Sequence, residues 1–195
     1  MSATRSSAGT GAVCATLLCL TGATTAPALA SPPRPSATVS SLDTQLLTAG
    51  HQGNLWEIAT GQAAQTDATS ACVKQVGAVF IRDHRALDAG LVKTASKLGV
   101  ALPSGQTAGQ QRQAVALKAA ARTRSYDAAW LKAQYTAHVQ TLSLIDKEIA
   151  AGTNPQVKAL AKSARPVVER HTRLVSKGVC HSPMAASSRP SASAR

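Results

Sequence analysis

Residues 72–99 read CVKQVGAVFIRDHRALDAGLVKTASKLG, and their pattern is that of one long amphipathic helix. The apolar positions recur every three or four residues, which places their side chains on one face of an α-helix. His84 falls on the same face. Gly99, with Pro103 shortly after it, ends the pattern as these residues commonly end helices. The stretch predicts a helix from about 71 to 98 with a histidine on its buried side.

Three other segments carry the same spacing, and the four together predict a helical bundle over residues 42–180. The first helix is expected at about 42–65, after Ser40 and Asp43 in the spacing of a capping box. The third is expected at about 126–151. The fourth begins after Asn154, with Pro155 in its first turn. The connection between the second and third helices is long and is expected to contain a short extra helix at about 110–122.

The composition favours helices over strands. The chain has 195 residues, of which 44% are hydrophobic but only 3% aromatic. A core with so few rings must be built from Ala, Leu, Val and Ile, whereas sandwiches and barrels usually draw on aromatic and β-branched residues. The hydrophobic fraction is too high for a wholly disordered chain. The predicted fold class is therefore all-α.

Residues 1–30 have the layout of a secretory signal peptide. One cation, Arg5, precedes an apolar run at about 12–20, and the small residues Ala28 and Ala30 suit a cleavage site after Ala30. A membrane anchor is the alternative, but the run is shorter than the ~20 residues that span a bilayer. We therefore expect a secreted, extracytoplasmic protein.

The segments on either side of the bundle lack helical periodicity. Residues 31–41 begin with a proline-rich stretch and are expected to form an extended linker. Residues 181–195 are rich in Ser, Ala, Pro and Arg and are expected to form a disordered basic tail. No segment of the mature chain is apolar enough to predict a transmembrane helix.

Without residues 1–30 the chain keeps two cysteines, Cys72 and Cys180. In an exported protein two cysteines are expected to form a disulfide, with two free thiols as the alternative. The bond needs Cα atoms within ~7 Å, yet the second helix is ~40 Å long at 1.5 Å per residue. An up-down-up-down bundle would hold the two cysteines at opposite ends. The pair therefore predicts a ferritin-like four-helix bundle with a long crossover between helices 2 and 3.

Three histidines occupy buried positions on three different predicted helices: His84, His138 and His171. Their positions along the bundle axis can be compared by counting residues from the two cysteines and from the turn near residue 153. By this count the three histidines lie within about one helical turn of each other along the axis. Glu57, on the first helix, lies about one turn nearer the disulfide. Three imidazoles and a carboxylate are a ligand set for a transition metal such as zinc, copper or iron. The alternative is a metal-free polar network that includes Asp83 and Tyr135. His51 and His181 are expected to be solvated.

No pattern in the sequence identifies an enzyme. A di-iron centre in a four-helix bundle uses Glu-x-x-His pairs on two helices, and no Glu-x-x-His occurs in this chain. The Gly-x-Ser-x-Gly nucleophile elbow and glycine-rich phosphate loops are absent as well. The sequence therefore favours a protein without catalytic residues. No pattern in the sequence requires a cofactor.

Several short motifs stand in an order and spacing that resemble one family. They are Asn-Leu-Trp-Glu-Ile at 54–58, Asp-His at 83–84, Gly-Val-Ala-Leu-Pro at 99–103, Tyr-Asp at 126–127, Tyr135 with His138, Arg-Pro at 165–166, and His171. Over about residues 42–178 the chain resembles the bacterial exported family called domain of unknown function 4142, placed among ferritin-like bundles. The resemblance implies that fold and an extracytoplasmic location, and no established activity. The recurrent polar residues that it carries over are Glu57, Asp83, His84, Tyr135, His138 and His171.

The chain is strongly basic, with a net charge of +12. Removing Arg5 with residues 1–30 leaves 20 basic and 9 acidic residues, or +11. Such a charge suits anionic partners such as cell-envelope polymers. Specific nucleic-acid binding is not predicted, because the cations are scattered and exposed rings do not alternate with them. The densest group of cations lies on the outer side of the fourth helix: Arg165, Arg170, Arg173 and Lys177.

Three functions follow from these observations. The one that the sequence favours is a secreted, disulfide-locked helical bundle that serves as a binding or envelope-associated module. The first alternative is a metal-binding or redox protein that uses the histidine layer. The second is a binder of anionic polymers.

Overall fold

The computed structural model describes residues 38–183, which form five α-helices and one short 3-10 helix. The helices are α1 (Ser41–Asp67), α2 (Ala71–Leu98), α3 (Ala108–Ala119), α4 (Arg124–Ala151) and α5 (Pro155–Leu174), followed by the 3-10 helix Ser176–Gly178. No strand occurs within residues 38–183, so the predicted all-α class is confirmed. The predicted signal peptide, and most of the predicted linker and tail, lie outside the described residues.

Each α-helix begins where the sequence supplies a polar cap. A side-chain oxygen accepts a backbone N–H of the first turn at Ser40, Ser70, Thr107, Thr123 and Asn154. At α1 the capping box is complete, because Asp43 Oδ2 also accepts the backbone N–H of Ser40 at 2.7 Å. At the other end of α2, Gly99 takes the left-handed conformation, with φ of 68°, and stops the helix. These caps explain why the bounds lie close to the predicted ones.

Contacts at the two ends of the bundle fix its topology. At one end Cys72, at the start of α2, forms the predicted disulfide with Cys180, with the Cα atoms 6.2 Å apart. Asp127, in the first turn of α4, accepts the backbone N–H of Ser70 at the same end. At the other end Asp43 of α1 accepts the backbone N–H of Asn154, before α5. Helices α2 and α4 therefore run parallel, and residues 99–123 cross over along the bundle, as the cysteines predicted.

The four long helices pack in a ring in which α1 contacts α2 and α4, and α5 contacts α4 and α2. Two glycines allow α1 and α2 to approach closely. A Cβ added at Gly61 would lie 2.9 Å from the carbonyl oxygen of Gly77, and one added at Gly77 would lie 3.1 Å from that of Gly61. The absence of side chains at these two positions lets the backbones meet. No helix within residues 38–183 is long and apolar enough to cross a membrane.

The core consists of two apolar clusters separated by a polar layer. The cluster at the disulfide end contains Phe80, Trp130 and Leu174, and the cluster at the other end contains Leu91, Ile145 and Val168. On α2, α4 and α5 a buried histidine lies in sequence between the members of the two clusters. The buried Glu57 holds the corresponding place on α1, between Leu47 and Ala64. The apolar clusters therefore hold four polar side chains in the middle of the bundle.

Candidate metal centre

The side chains of His84, His138 and His171 meet at the centre of this layer. They come from α2, α4 and α5, and each is at most 4% exposed. Nε2 of His84 lies 3.4 Å from Nε2 of His138, which lies 3.3 Å from Nδ1 of His171. The three nitrogens all lie within 4.8 Å of one another. The structure thus brings together the three histidines that helical spacing placed at one depth.

Each ring has a second nitrogen that points away from the cluster and contacts an oxygen. The contacts are His84 Nδ1 to Oδ1 of Asn54 at 2.8 Å, His138 Nδ1 to the backbone oxygen of Gln134 at 2.8 Å, and His171 Nε2 to Oδ2 of Asp83 at 2.9 Å. These oxygens can only accept, so the outward nitrogen of each ring carries the proton. In a neutral imidazole the other nitrogen then keeps its lone pair. The three nitrogens that face one another are therefore the three without protons.

The amide of Asn54 is itself oriented by a carboxylate. Its Nδ2 donates to Oδ1 of Asp88 at 3.3 Å, which leaves its oxygen to accept from His84. The same Asp88 oxygen lies 2.8 Å from Nδ1 of His51. The expectation that His51 is solvated is therefore wrong, because its side chain is only 12% exposed and pairs with Asp88. His181, by contrast, is exposed as expected.

Burial keeps the three imidazoles neutral. Two effects lower the pKa of His84 well below its ordinary value: burial, which is the larger, and repulsion from the neighbouring imidazole rings. The same two causes lower the pKa of His138 to about 3. For His171 burial lowers the pKa to about 4, although Asp83 opposes the shift. At neutral pH the cluster is therefore a set of three Lewis bases that face a common point.

Glu57 lies beside the cluster and is not part of the convergent set. Its Oε1 is 3.5 Å from Nδ1 of His138, the nitrogen that carries the proton. Burial raises the pKa of Glu57 well above its ordinary value. With its amide nitrogen toward Glu57, Gln134 donates to Oε1 at 2.9 Å and accepts from Oγ1 of Thr60 at 2.9 Å. This orientation gives both ends of the amide a complementary partner.

Asp83 supports the site, whereas Tyr135 lies apart from it. The carboxylate of Asp83 accepts from His171 and from Arg170 Nη2, each at 2.9 Å, and from Arg82 Nε at 2.7 Å. Burial alone would raise the pKa of Asp83, but these hydrogen bonds outweigh it and hold the pKa well below its ordinary range. Tyr135 packs, half-buried, against the apolar cluster around Phe80. Within residues 38–183 no hydrogen bond joins it to the histidines.

Asn54 and Gln134, which contact the histidines, are not among the candidate site residues that the sequence indicates. Asn54 is three residues before Glu57 and Gln134 is four residues before His138, so each lies on the same helical face as a residue that was identified. This helical spacing is the feature of the sequence that could have identified the two amides. Amides at these positions carry no charge, however, and their part in the site depends on the rotamers that packing selects.

The two sides of the histidine cluster differ. On one side the Phe80 ring packs on the rings of His138 and His171, with centroids 4.7 and 4.5 Å apart. On another side a cavity of about 260 Å³ is lined by Glu57, His84 and His138 together with apolar residues of four helices. A ligand from outside the bundle would therefore reach the cluster through this cavity.

Three of the four cations in the basic group, Arg165, Arg170 and Arg173, form ion pairs. Within residues 38–183, Arg165 pairs with Asp146 and Glu169, Arg173 with Glu169, and Arg170 with Asp83, at distances of 2.7 to 3.4 Å. Such paired cations offer less charge to an external anion than the sequence alone implied.

Comparison with known proteins gives one match. A search of curated proteins and a search of solved structures each found no match to the chain. The ferritin-like classification therefore stays a prediction. The model of the family described as a domain of unknown function (DUF4142) matches residues 28–177. Because this match covers 150 of the 195 residues and contains all three histidines, the chain belongs to the DUF4142 family.

Proposed function

We propose that this protein is an exported metal-binding protein that holds one divalent transition-metal ion on Nε2 of His84, Nε2 of His138 and Nδ1 of His171. The observation that carries the proposal is that the outward nitrogen of each ring contacts an acceptor oxygen, which leaves the three facing nitrogens without protons. Two lone pairs separated by 3.3 or 3.4 Å form no hydrogen bond with each other and repel. A cation among them turns the same contacts into coordinate bonds.

Two of the three nitrogen separations match tetrahedral coordination as they stand. At a Zn–N distance of ~2.0–2.1 Å, two ligands of a tetrahedral ion lie about 3.3–3.4 Å apart. Two of the three separations in the cluster are 3.3 and 3.4 Å, and the third, between His84 and His171, is at most 4.8 Å. The oxygens of Asn54, Gln134 and Asp83 would serve as the outer partners that hold metal-bound imidazoles in one orientation.

The ligand chemistry favours zinc or a similar ion. Imidazole nitrogens suit zinc, copper, nickel and iron, whereas magnesium and calcium prefer oxygen ligands. Three protein ligands beside a cavity are also the arrangement of zinc sites that keep one coordination position for an outside ligand. Glu57 belongs to the surroundings of the ion in this proposal, because its near oxygen faces the protonated nitrogen of His138. Zinc is therefore the ion to test first.

Export is supported by two features of the chain. The disulfide between Cys72 and Cys180 suits an oxidising compartment. Residues 1–30 have the pattern of a signal peptide. The alternative function is a metal-free binding module. This alternative predicts a protein whose stability does not increase when metal is added. Binding of anionic polymers has weaker support, because three cations of α5 are already paired.

Metal content decides between the metal site and the metal-free module. Untagged protein is stripped with a chelator, reloaded with Zn²⁺, dialysed and assayed by elemental analysis. We expect one zinc per chain, and a stability gain of about 2.7 kcal/mol when free zinc is 100-fold above its Kd. His138→Gln should lose the ion, while His181→Gln, at an exposed histidine outside the cluster, should retain it. Absence of stoichiometric zinc together with an unchanged melting temperature would contradict the proposal.

A further inference from the structure

The cavity beside the histidines is lined by both polar and apolar side chains. Its polar lining includes Glu57, His84 and His138, each more than nine-tenths buried, together with Asn54, Gln110, Gln140 and Thr141. Its apolar lining comes from α1, α2, α4 and α5 and includes Leu46, Leu87, Leu91, Leu144, Ile145 and Leu160. Such a combination, a mostly apolar lining with a few convergent polar groups, is characteristic of small-molecule sites.

The volume of about 260 Å³ indicates the size of ligand that the cavity can cover. It is just below the ~300–1,000 Å³ of typical ligand pockets. An apolar cavity of ~150 Å³ accepts benzene, which has six non-hydrogen atoms. Scaled in proportion, this cavity has room for roughly ten non-hydrogen atoms.

The charge around the cavity limits the head group. No Lys or Arg is among the described residues that line it, so the protein itself offers no cation to an anionic ligand. Imidazoles bind metals in their neutral form, and a divalent ion on the three histidines therefore keeps its full charge. Of the charges at this cavity, only that of the ion attracts an anion.

We propose that the cavity binds a small monocarboxylate with an apolar body, whose carboxylate completes the coordination of the metal while its body lies among the leucines. This inference rests on the metal site proposed above. Octanoate, with eight carbons and two oxygens, has the size that the cavity allows. Carboxylate oxygen is an ordinary fourth ligand of zinc.

Gly53 offers a way to fill the cavity without disturbing the ligands. It lines the cavity, and a Cβ added there would meet no atom within 4 Å. Gly53→Leu therefore extends a side chain into open space while the three histidines stay unchanged. Gly109→Leu, at an exposed position of α3 outside the lining, is the matched control.

The test is calorimetric titration of octanoate into zinc-loaded protein freed of excess zinc, with chelator-stripped protein in parallel. We expect one octanoate per chain, with affinity at least tenfold lower for the stripped protein. Butyrate should bind the zinc form at least tenfold more weakly than octanoate, because it buries four fewer methylene groups. Gly53→Leu should keep its zinc but lose at least tenfold in octanoate affinity, and Gly109→Leu should match the wild type.

Two results would overturn the inference while the metal site stands. One is zinc-loaded protein that does not bind octanoate. The other is equal affinity with and without zinc, which would show that the apolar walls alone hold the ligand. Failure of the metal site has a separate signature, since the elemental analysis would then find no zinc before any octanoate is added. The butyrate comparison needs no variant, so it remains decisive if Gly53→Leu folds poorly.

Discussion

Replacing Glu148 with Gln should stabilise the protein, and the gain should grow as the pH rises. Glu148 is fully buried near the end of α4, and within residues 38–183 no donor reaches either of its carboxyl oxygens. It interacts with Asp43, whose carboxylate is occupied by hydrogen bonds from Ser40, Thr153 and Asn154. Those bonds outweigh the effect of burial and hold the pKa of Asp43 well below its ordinary value. Burial and then the interaction with Asp43 raise the pKa of Glu148 to about 7.

The sign and size of the effect follow from this shift. The unfolded chain loses the Glu148 proton near pH 4.5, whereas the folded protein keeps it until about pH 7. A carboxyl group whose pKa is raised by folding costs stability as the pH rises across that interval, and the cost is complete above the higher value. The difference between the two pKa values corresponds to at most about 3 kcal/mol. Glutamine keeps the shape of the side chain and stays uncharged, so it removes this cost.

The assay is urea unfolding at pH 5, 6, 7 and 8, followed by the fluorescence of the buried Trp56 and Trp130. A chelator in every buffer keeps the histidines free of metal. Between pH 5 and 8 the stability difference between Glu148→Gln and the wild type should widen by about 2 kcal/mol. Glu169→Gln, at a side chain that is 46% exposed, should show no comparable widening. A difference for Glu148→Gln that does not change with pH would refute the reasoning.

Three further predictions test the packing, the disulfide and the orientation of the ligands. Gly77→Ala sets a methyl group within 3.0–3.2 Å of α1 atoms and should cost about 1–3 kcal/mol in urea unfolding. Gly53→Ala, where the space is open, should gain up to ~1 kcal/mol, and equal effects at the two glycines would contradict the packing account. Replacing Cys72 and Cys180 by Ser should lower the unfolding free energy by about 2–5 kcal/mol, and unchanged stability would exclude a structural role for the bond. Asn54→Ala leaves Nδ1 of His84 without its acceptor. This change should weaken zinc binding by about 10–100-fold, measured in competition with a chromophoric chelator. Unaltered affinity would remove Asn54 from the site.

The sequence predicted the helices and the depth of the histidines because both depend on regular geometry. Caps such as Ser40 and Asn154 act on their own first turns, so they are readable without tertiary structure. An α-helix rises by a constant amount per residue, and the disulfide supplies a common origin for counting. Residue numbers therefore sufficed to place His84, His138 and His171 in one layer.

The direction of each side chain within that layer was not readable in the same way. Glu57 was predicted as a ligand, yet its oxygen faces the protonated nitrogen of His138. Tyr135 was predicted in the polar network but packs among apolar side chains, while His51 was expected in solvent and pairs with Asp88. These outcomes depend on rotamers and on neighbours from other helices, and neither is encoded in the periodicity of one segment.

The most direct test of the metal site is anomalous X-ray diffraction from crystals of the zinc-loaded protein, recorded on both sides of the zinc absorption edge. The account predicts one strong peak in the core of each chain. That peak should lie ~2.0–2.1 Å from Nε2 of His84, Nε2 of His138 and Nδ1 of His171. Zinc peaks confined to surface residues such as His181, with the three imidazoles still in contact with one another, would contradict it.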